Sequence, residues 1–162
     1  MSFLIRAYAQ TDLPALQAIR AAAFAPVFQS FRDIVGPEIA ALGLATAEAE
    51  QSALLDSIAA PDSGHSLAVA LIDDEIAGFV SWKTDAATRI GEITLNAVHP
   101  THAGRGAGSA LYDHALAALR SAGMALATVG TGGDPSHAPA RRAYEKAGFS
   151  AFIPSHYMYK LL

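Results

Sequence analysis

His99-Pro100-Thr101-His102-Ala103-Gly104-Arg105-Gly106-Ala107-Gly108-Ser109-Ala110-Leu111 joins an extended run to a helical pattern. The run, residues 90–98, stops at a proline; three alternating glycines follow, then Ala, Leu and Tyr residues. Glycine at such a junction lets the backbone turn tightly and lets a ligand approach its N–H groups. The first N–H groups of a helix have no internal partner and lie at the positive end of its dipole. A strand, a glycine loop and a helix N-terminus together make a site for phosphate. Spacing narrows the choice of phosphate compound. A dinucleotide loop wants G-x-G-x-x-G beside the first strand and an acidic residue about twenty positions later. Here the third glycine comes one residue early and the strand is a middle one. A Walker loop needs Gly-Lys-Ser/Thr, and this loop holds no lysine. Taken alone, the loop is equally compatible with a structural turn.

Outward from the loop, the chain alternates strand and helix signals. Residues 3–8 alternate as a first strand. Thr11-Asp12-Leu13-Pro14 opens a helix with a capping side chain and a proline in the first turn, running to about Ala23. Residues 24–60 are mostly helical, with Gly36-Pro37 as a break and a second helix over 46–59. Residues 66–72 and 76–83 form a hairpin around Asp73-Asp74-Glu75. A helix over 106–122 is closed by Gly123, a strand covers 125–131, and a helix over 139–147 is closed by Gly148. Residues 149–153 and 157–161 read as a final pair of strands. No linker or repeat divides the chain, so residues 1–162 are expected to form one α/β domain.

Composition agrees. The chain has 162 residues, 52% hydrophobic and 16% charged, enough for a sizeable packed core and unlike a disordered segment. A formal charge of −4 without a basic block predicts no nucleic-acid and no membrane partner. The absence of cysteine excludes disulfides, thiol nucleophiles and Cys-based zinc sites. No His/Asp/Glu group has metal-ligand spacing, so no metal is expected. The N-terminal apolar run is too short for a signal peptide and no stretch is long enough to span a membrane, which predicts a cytoplasmic protein.

A second motif, Pro139-Ala140-Arg141-Arg142-Ala143-Tyr144-Glu145-Lys146-Ala147-Gly148-Phe149, follows the loop after one intervening strand. With it the chain resembles the GNAT N-acetyltransferase superfamily over essentially its whole length, most specifically from Glu92 to Phe149. That family carries Gln/Arg-x-x-Gly-x-Gly/Ala after its fourth strand, where this chain has Ala103 to Gly108. Its Asn-x-x-Ala-x-x-x-Tyr-Glu-Lys-x-Gly-Phe helix corresponds to His137 to Phe149. Two positions depart: Ala103 stands where the family has Gln or Arg, and His137 where it commonly has Asn. The resemblance implies a twisted, mostly antiparallel sheet of six to seven strands with a splayed central parallel pair and about four flanking helices.

It also implies acetyl-CoA as cofactor. The pyrophosphate would lie on Gly104, Arg105, Gly106, Ala107, Gly108 and Ser109, resting on backbone N–H groups because Ala103 offers no polar side chain. The pantetheine arm would run beside Ala97 and Val98 like an added strand, with His137, Ala140 and Tyr144 along the second motif. Dimerisation is a habit of the family.

Acetyl transfer to an amine needs a base for the amine, an acid for the departing thiolate, and donors for the carbonyl oxygen. Tyr144 matches the family tyrosine and is the candidate acid; the alternative is a core tyrosine on an Ala140–Tyr144–Ala147 face. Glu92 is one candidate base. In a regular strand Glu92, Thr94 and Asn96 share a face opposite Ile93, Leu95 and Ala97. The alternative is a strand-start carboxylate solvated or paired with Arg89. His137 is the other candidate, a neutral-range titrating group at a helix start, unless it only makes a local hydrogen bond there. His99 and His102 flank the loop and read as packed or solvated. Phe24, Phe28 and Phe31 read as core by helical spacing and Trp82 is a large apolar group; the resemblance implies that the segment of the three phenylalanines roofs the acceptor site, for which they, Trp82 and Asn96 are the candidates. A direct route is expected because no cysteine exists to carry an acyl group. The acceptor, a small-molecule or peptide amine, is not legible. A catalytically lapsed acyl-CoA-binding module of the same fold is the rival reading.

Overall fold

The computed structural model describes residues 4–162; Phe3, the predicted start of the first strand, lies outside them. Five strands make one sheet in the order β1-β2-β3-β4-β5: β1 (Leu4–Ala7), β2 (His65–Ile72), β3 (Glu75–Asp85), β4 (Ile90–Val98) and β5 (Leu126–Val129). The first four pair antiparallel in succession, and β4 pairs parallel with β5. Five helices flank them: α1 (Leu13–Val35), α2 (Pro37–Gly43), α3 (Ala47–Ala59), α4 (Ala107–Ser121) and α5 (Ala138–Lys146).

Two apolar layers sandwich the sheet. On one face Ala68, Val80, Trp82 and Ile93 pack under Leu111, Tyr112, Ala115 and Leu119 of α4 and Tyr144 of α5. On the other, Val69, Phe79, Leu95 and Ala97 pack under Leu16 and Ile19 of α1 and Leu55 and Ile58 of α3. The β1–α1 junction is fastened by Asp12, which accepts from Arg6 at 2.7 Å and from the Ala9 N–H at 2.8 Å. The Arg6 hydrogen bond, opposed by burial, holds its carboxyl below the ordinary value. No helix among the described residues is long and apolar enough to cross a membrane.

Three expectations change. The first helix does not stop near Ala23 but continues to Val35 with Pro26 inside it. Proline removes one helical hydrogen bond; contacts made beyond it by Phe28, Ser30 and Phe31 offset that loss. The predicted strands over 149–153 and 157–161 do not form. Residues 149–162 have no regular structure, and Phe152 and Ile153 are 86% and 93% exposed. Alternating apolar residues describe a surface suited to pairing, but a strand also needs a partner, and none pairs with these residues. Among the described residues the sheet therefore has five strands rather than six or seven, and the parallel pair stands at its edge rather than its centre. Tyr157 and Tyr159 lie on this tail, the Tyr159 ring resting on Gly43.

Candidate active site

The β4–β5 ladder ends at Ile93↔Val129, while β4 runs on to Val98. Beyond Ile93 the strand has lost its β5 neighbour and keeps only β3, so its outer edge is open. On the β3 side the register shifts between Val80 and Trp82. This β-bulge sets Thr94 and Leu95 against Ser81, whose Oγ donates to the Leu95 carbonyl at 2.8 Å and lies 2.6 Å from Thr94 Oγ1. An extra residue on one strand reverses the alternation that follows it. Ile93 faces α4; Leu95 and Ala97 join the α1–α3 layer; Asn96 turns back toward α4.

The bulge corrects the expected shared face, because Glu92 and Asn96 lie on opposite sides of the sheet. Glu92 is not paired with Arg89 but with its cross-strand neighbour Lys83, at 2.9 Å. Arg89 instead donates to the Gly123 carbonyl at 3.1 Å.

Asn96 bridges two tyrosines. Tyr112 OH donates to Asn96 Oδ1 at 2.9 Å, and Asn96 Nδ2 donates to the Tyr144 hydroxyl oxygen at 2.9 Å. The two rings lie 5.1 Å apart, and Phe149 meets Tyr144 edge-on at 6.0 Å. Both tyrosines are buried. Burial pushes the Tyr112 phenol well up. It also raises Tyr144, where the Asn96 hydrogen bond and the neighbouring Tyr112 hydroxyl work in the opposite direction. Tyr112 was not singled out from sequence. Its signal is its place beside Leu111 and Ala115 on the buried stripe of α4, where a polar tip needs a partner.

A second cluster stands where β5 gives way to α5. Asp134 Oδ1 bonds His137 Nδ1 at 2.5 Å, and Oδ2 accepts from Ser30 Oγ at 3.0 Å, from Ser136 N at 3.1 Å and from Ser136 Oγ. Phe31 stacks on the His137 ring at 5.8 Å. Arg141 Nη1 donates to the carbonyls of Gly132 at 2.6 Å and Asp134 at 2.8 Å. A β-carbon at position 132 would collide with the His137 ring and the Asp134 carboxylate, so only glycine fits. With Nδ1 held by Asp134, the neutral imidazole has its lone pair on Nε2, which bonds no group among the described residues. The C-terminal half of α1 thus caps the cluster through Ser30 and Phe31, and the long helix beyond Pro26 is what brings them there.

Burial works against ionisation of Asp134. Hydrogen bonds from Ser136, His137 and Ser30, with the His137 charge, outweigh it and hold the carboxyl at about 2. A carboxyl depressed in the fold adds stability above the unfolded-state value near 4 and loses it as pH falls toward 2. The contribution is on the order of 2 kcal/mol. Thermal melts at pH 5 and pH 3 are expected to show a larger loss for the wild-type chain than for Asp134→Asn; equal losses would contradict the assignment.

At the strand end, Pro100–His102 form one 3-10 turn. The exposed residues Ala103 and Gly104 come next, and Gly106 at φ 95° is the N-cap of α4. An L-residue is strained at that φ. No side chain caps the helix, and the Ala110 N–H donates to the Gly106 carbonyl at 3.1 Å. The N–H groups of Ala107, Gly108 and Ser109 are therefore the helix's unpartnered donors. Arg105 donates to His102 Nδ1 at 3.1 Å, folding its side chain over the 3-10 turn. His99 Nδ1 lies 2.7 Å from Thr101 Oγ1.

Of the other predicted residues, Ala97 is buried on the open part of β4, Val98 and Ala140 pack against the α4 layer, and Phe24 packs against the α1–α3 layer. Phe28 is buried against Phe31, at 6.4 Å. Trp82 is buried edge-on to His114. The structure brings together Asn96 with Tyr144, and Phe31 with His137; Glu92 joins neither group. What results is an open strand edge ending in free helix N–H groups, a buried phenol bonded by an amide, and a carboxylate-held imidazole.

Residues 30–149 match the model of the Acetyltransferase (GNAT) family. A solved structure described as an acetyltransferase of the GNAT family, from Desulfovibrio desulfuricans, is 25% identical with a TM-score of 0.68, covering 94% of this chain and 87% of that one. The PaiA N-acetyltransferase from Thermoplasma acidophilum, solved with coenzyme A, is 18% identical with a TM-score of 0.71 over 96% of this chain and 94% of its own. The ribosomal-protein-S18-alanine N-acetyltransferase from Escherichia coli is 20% identical with a TM-score of 0.68, over 94% and 80%. The last two share the fold. No curated protein matches the sequence.

Proposed function

The chain belongs to the Acetyltransferase (GNAT) family, and from that premise we propose that it moves an acetyl group from acetyl-CoA directly to a primary amine on a small molecule or peptide. Tyr144 gives the proton to the leaving thiolate and His137 takes the proton from the amine. The observation that carries this reading is the Asn96–Tyr144 hydrogen bond, which sets a phenol beside the part of β4 that β5 has left.

The residues fit the cosubstrate. Free N–H groups at Ala107–Ser109, at the positive end of α4, suit a pyrophosphate without help from Ala103. The open edge at Ala97 and Val98 suits an amide-bearing arm bonding as a strand. Acetyl-CoA, when bound, supplies an activated thioester. His137 is the N-cap of α5 and Tyr144 stands two turns along that helix, a backbone rise of about 10 Å. Asp134 keeps the His137 lone pair on Nε2, aimed away from the carboxylate, as a general base requires. Glu92, bound to Lys83 on the other face, takes no part in this scheme.

The test is release of CoA thiol across a panel of primary amines. Amine-dependent release by the wild type is expected, with His137→Gln lowering kcat about 10²-fold. Equal, near-zero turnover in wild type, Tyr144→Phe and Glu92→Gln, with acetyl-CoA still bound, would overturn the proposal in favour of an acyl-CoA-binding module.

A further inference from the structure

We infer that Asn96 and Tyr112 are positioning residues that hold the Tyr144 hydroxyl as a proton donor facing the open edge of β4. The inference rests on the reading of Tyr144 as the thiolate-side acid and adds to it two residues that touch neither substrate.

A phenol has one hydrogen to give and lone pairs to receive. Whether Tyr144 can give its hydrogen depends on which end of the Asn96 amide faces it. Two contacts bear on that. Tyr112 OH lies 2.9 Å from Oδ1, and Nδ2 lies 3.4 Å from the Thr94 carbonyl, which can only accept. Nδ2 therefore faces Tyr144, and at 2.9 Å it donates to the hydroxyl oxygen. The remaining contact, Tyr144 OH to Oδ1, is 3.4 Å, long for an O–H donor, and Oδ1 is already engaged by Tyr112. The Tyr144 hydrogen thus has no close acceptor within the triad.

The bulge at Thr94–Leu95 is what makes the arrangement; without it Asn96 would face α1. In the reaction the Tyr144 O–H bond breaks as an S–H bond forms, and the electron pair stays on the phenolate oxygen until solvent reprotonates it. A buried phenolate is costly unless donors surround it. Asn96 Nδ2 continues to donate to it, and the Tyr112 hydroxyl, donating to Asn96 Oδ1, keeps the amide turned that way.

Asn96→Asp is the decisive variant, because it keeps the Tyr112 acceptor while replacing the donor to Tyr144 with a second acceptor. Tyr112→Phe keeps the ring and frees the amide to turn. In the full chain, Asn96→Asp is expected to lower kcat about 10²-fold with KM for acetyl-CoA nearly unchanged, and Tyr112→Phe about tenfold. By NMR of 13Cζ-labelled tyrosine, Tyr144 should titrate at higher pH in both variants. Wild-type kcat profiles and an unmoved Tyr144 titration in both would overturn the positioning role. Full activity in Tyr144→Phe would instead overturn the acid assignment, whatever the titrations show.

Discussion

Tyr144→Phe is expected to lower kcat by about 10²- to 10³-fold, a barrier increase of about 2.7–4 kcal/mol, while acetyl-CoA affinity stays at the wild-type value. The magnitude follows from what the substitution removes. Phenylalanine preserves the ring that packs against Tyr112 and Phe149 at 5.1 and 6.0 Å, so the α4–α5 layer is undisturbed. It deletes the hydroxyl that Asn96 Nδ2 reaches at 2.9 Å. The unpaired amide costs about 1–3 kcal/mol of stability, which a denaturation curve reads separately from turnover. The N–H groups proposed for the cosubstrate are on α4, one element away. Stopped-assay turnover and calorimetric titration separate the two effects. A parallel loss of affinity and turnover would assign Tyr144 to binding rather than proton transfer.

Phe79→Ala is expected to cost about 3–5 kcal/mol of stability and about 6–20 °C in Tm. Phe79 is fully buried on β3, in the layer that holds Leu16, Leu55, Leu95 and Ala97, and it is the cross-strand neighbour of Ala97. Its removal leaves a cavity directly behind the open part of β4. Acetyl-CoA affinity should therefore fall together with stability, unlike the outcome for Tyr144→Phe. Leu42→Ala, at a residue 76% exposed, is the control and should stay within about 0.5 kcal/mol. Denaturant midpoints at constant m-value check both; a Phe79→Ala midpoint near wild type would mean that this layer does not support the strand.

The parts of the fold legible in the sequence were those set by local rules. Gly123 and Gly148, at φ 79° and 100°, close α4 and α5 where their backbone freedom placed them. The loop from His99 to Leu111 is a strand end, a glycine turn and a helix start, as its residues state. Non-local balances were harder to read. Pro26 signals a helix break on its own; only the docking of Ser30 and Phe31 onto Asp134 and His137, about a hundred residues away in sequence, explains why α1 continues. The tail alternates like a strand pair, but alternation cannot report that no edge receives it.

The candidate site divides in the same way. Tyr144 and Asn96 were named from motif and strand position, but their hydrogen bond depends on a bulge that no local signal marks. That bulge also moved Glu92 away from Asn96. Asp134 reads locally as a turn residue, and it does make the turn, accepting from Ser136 N. Its second role, fixing His137, appears only when α1 closes over it and buries both groups.

The most direct test of the account is a single-turnover experiment in which the protein is loaded with acetyl-CoA, mixed with a primary amine, and followed by intact mass spectrometry of protein and amine together. The account predicts that the acetyl group appears on the amine as CoA is released, with the protein mass unchanged throughout. An acetylated protein intermediate, or an amine that never gains the acetyl group, would contradict it.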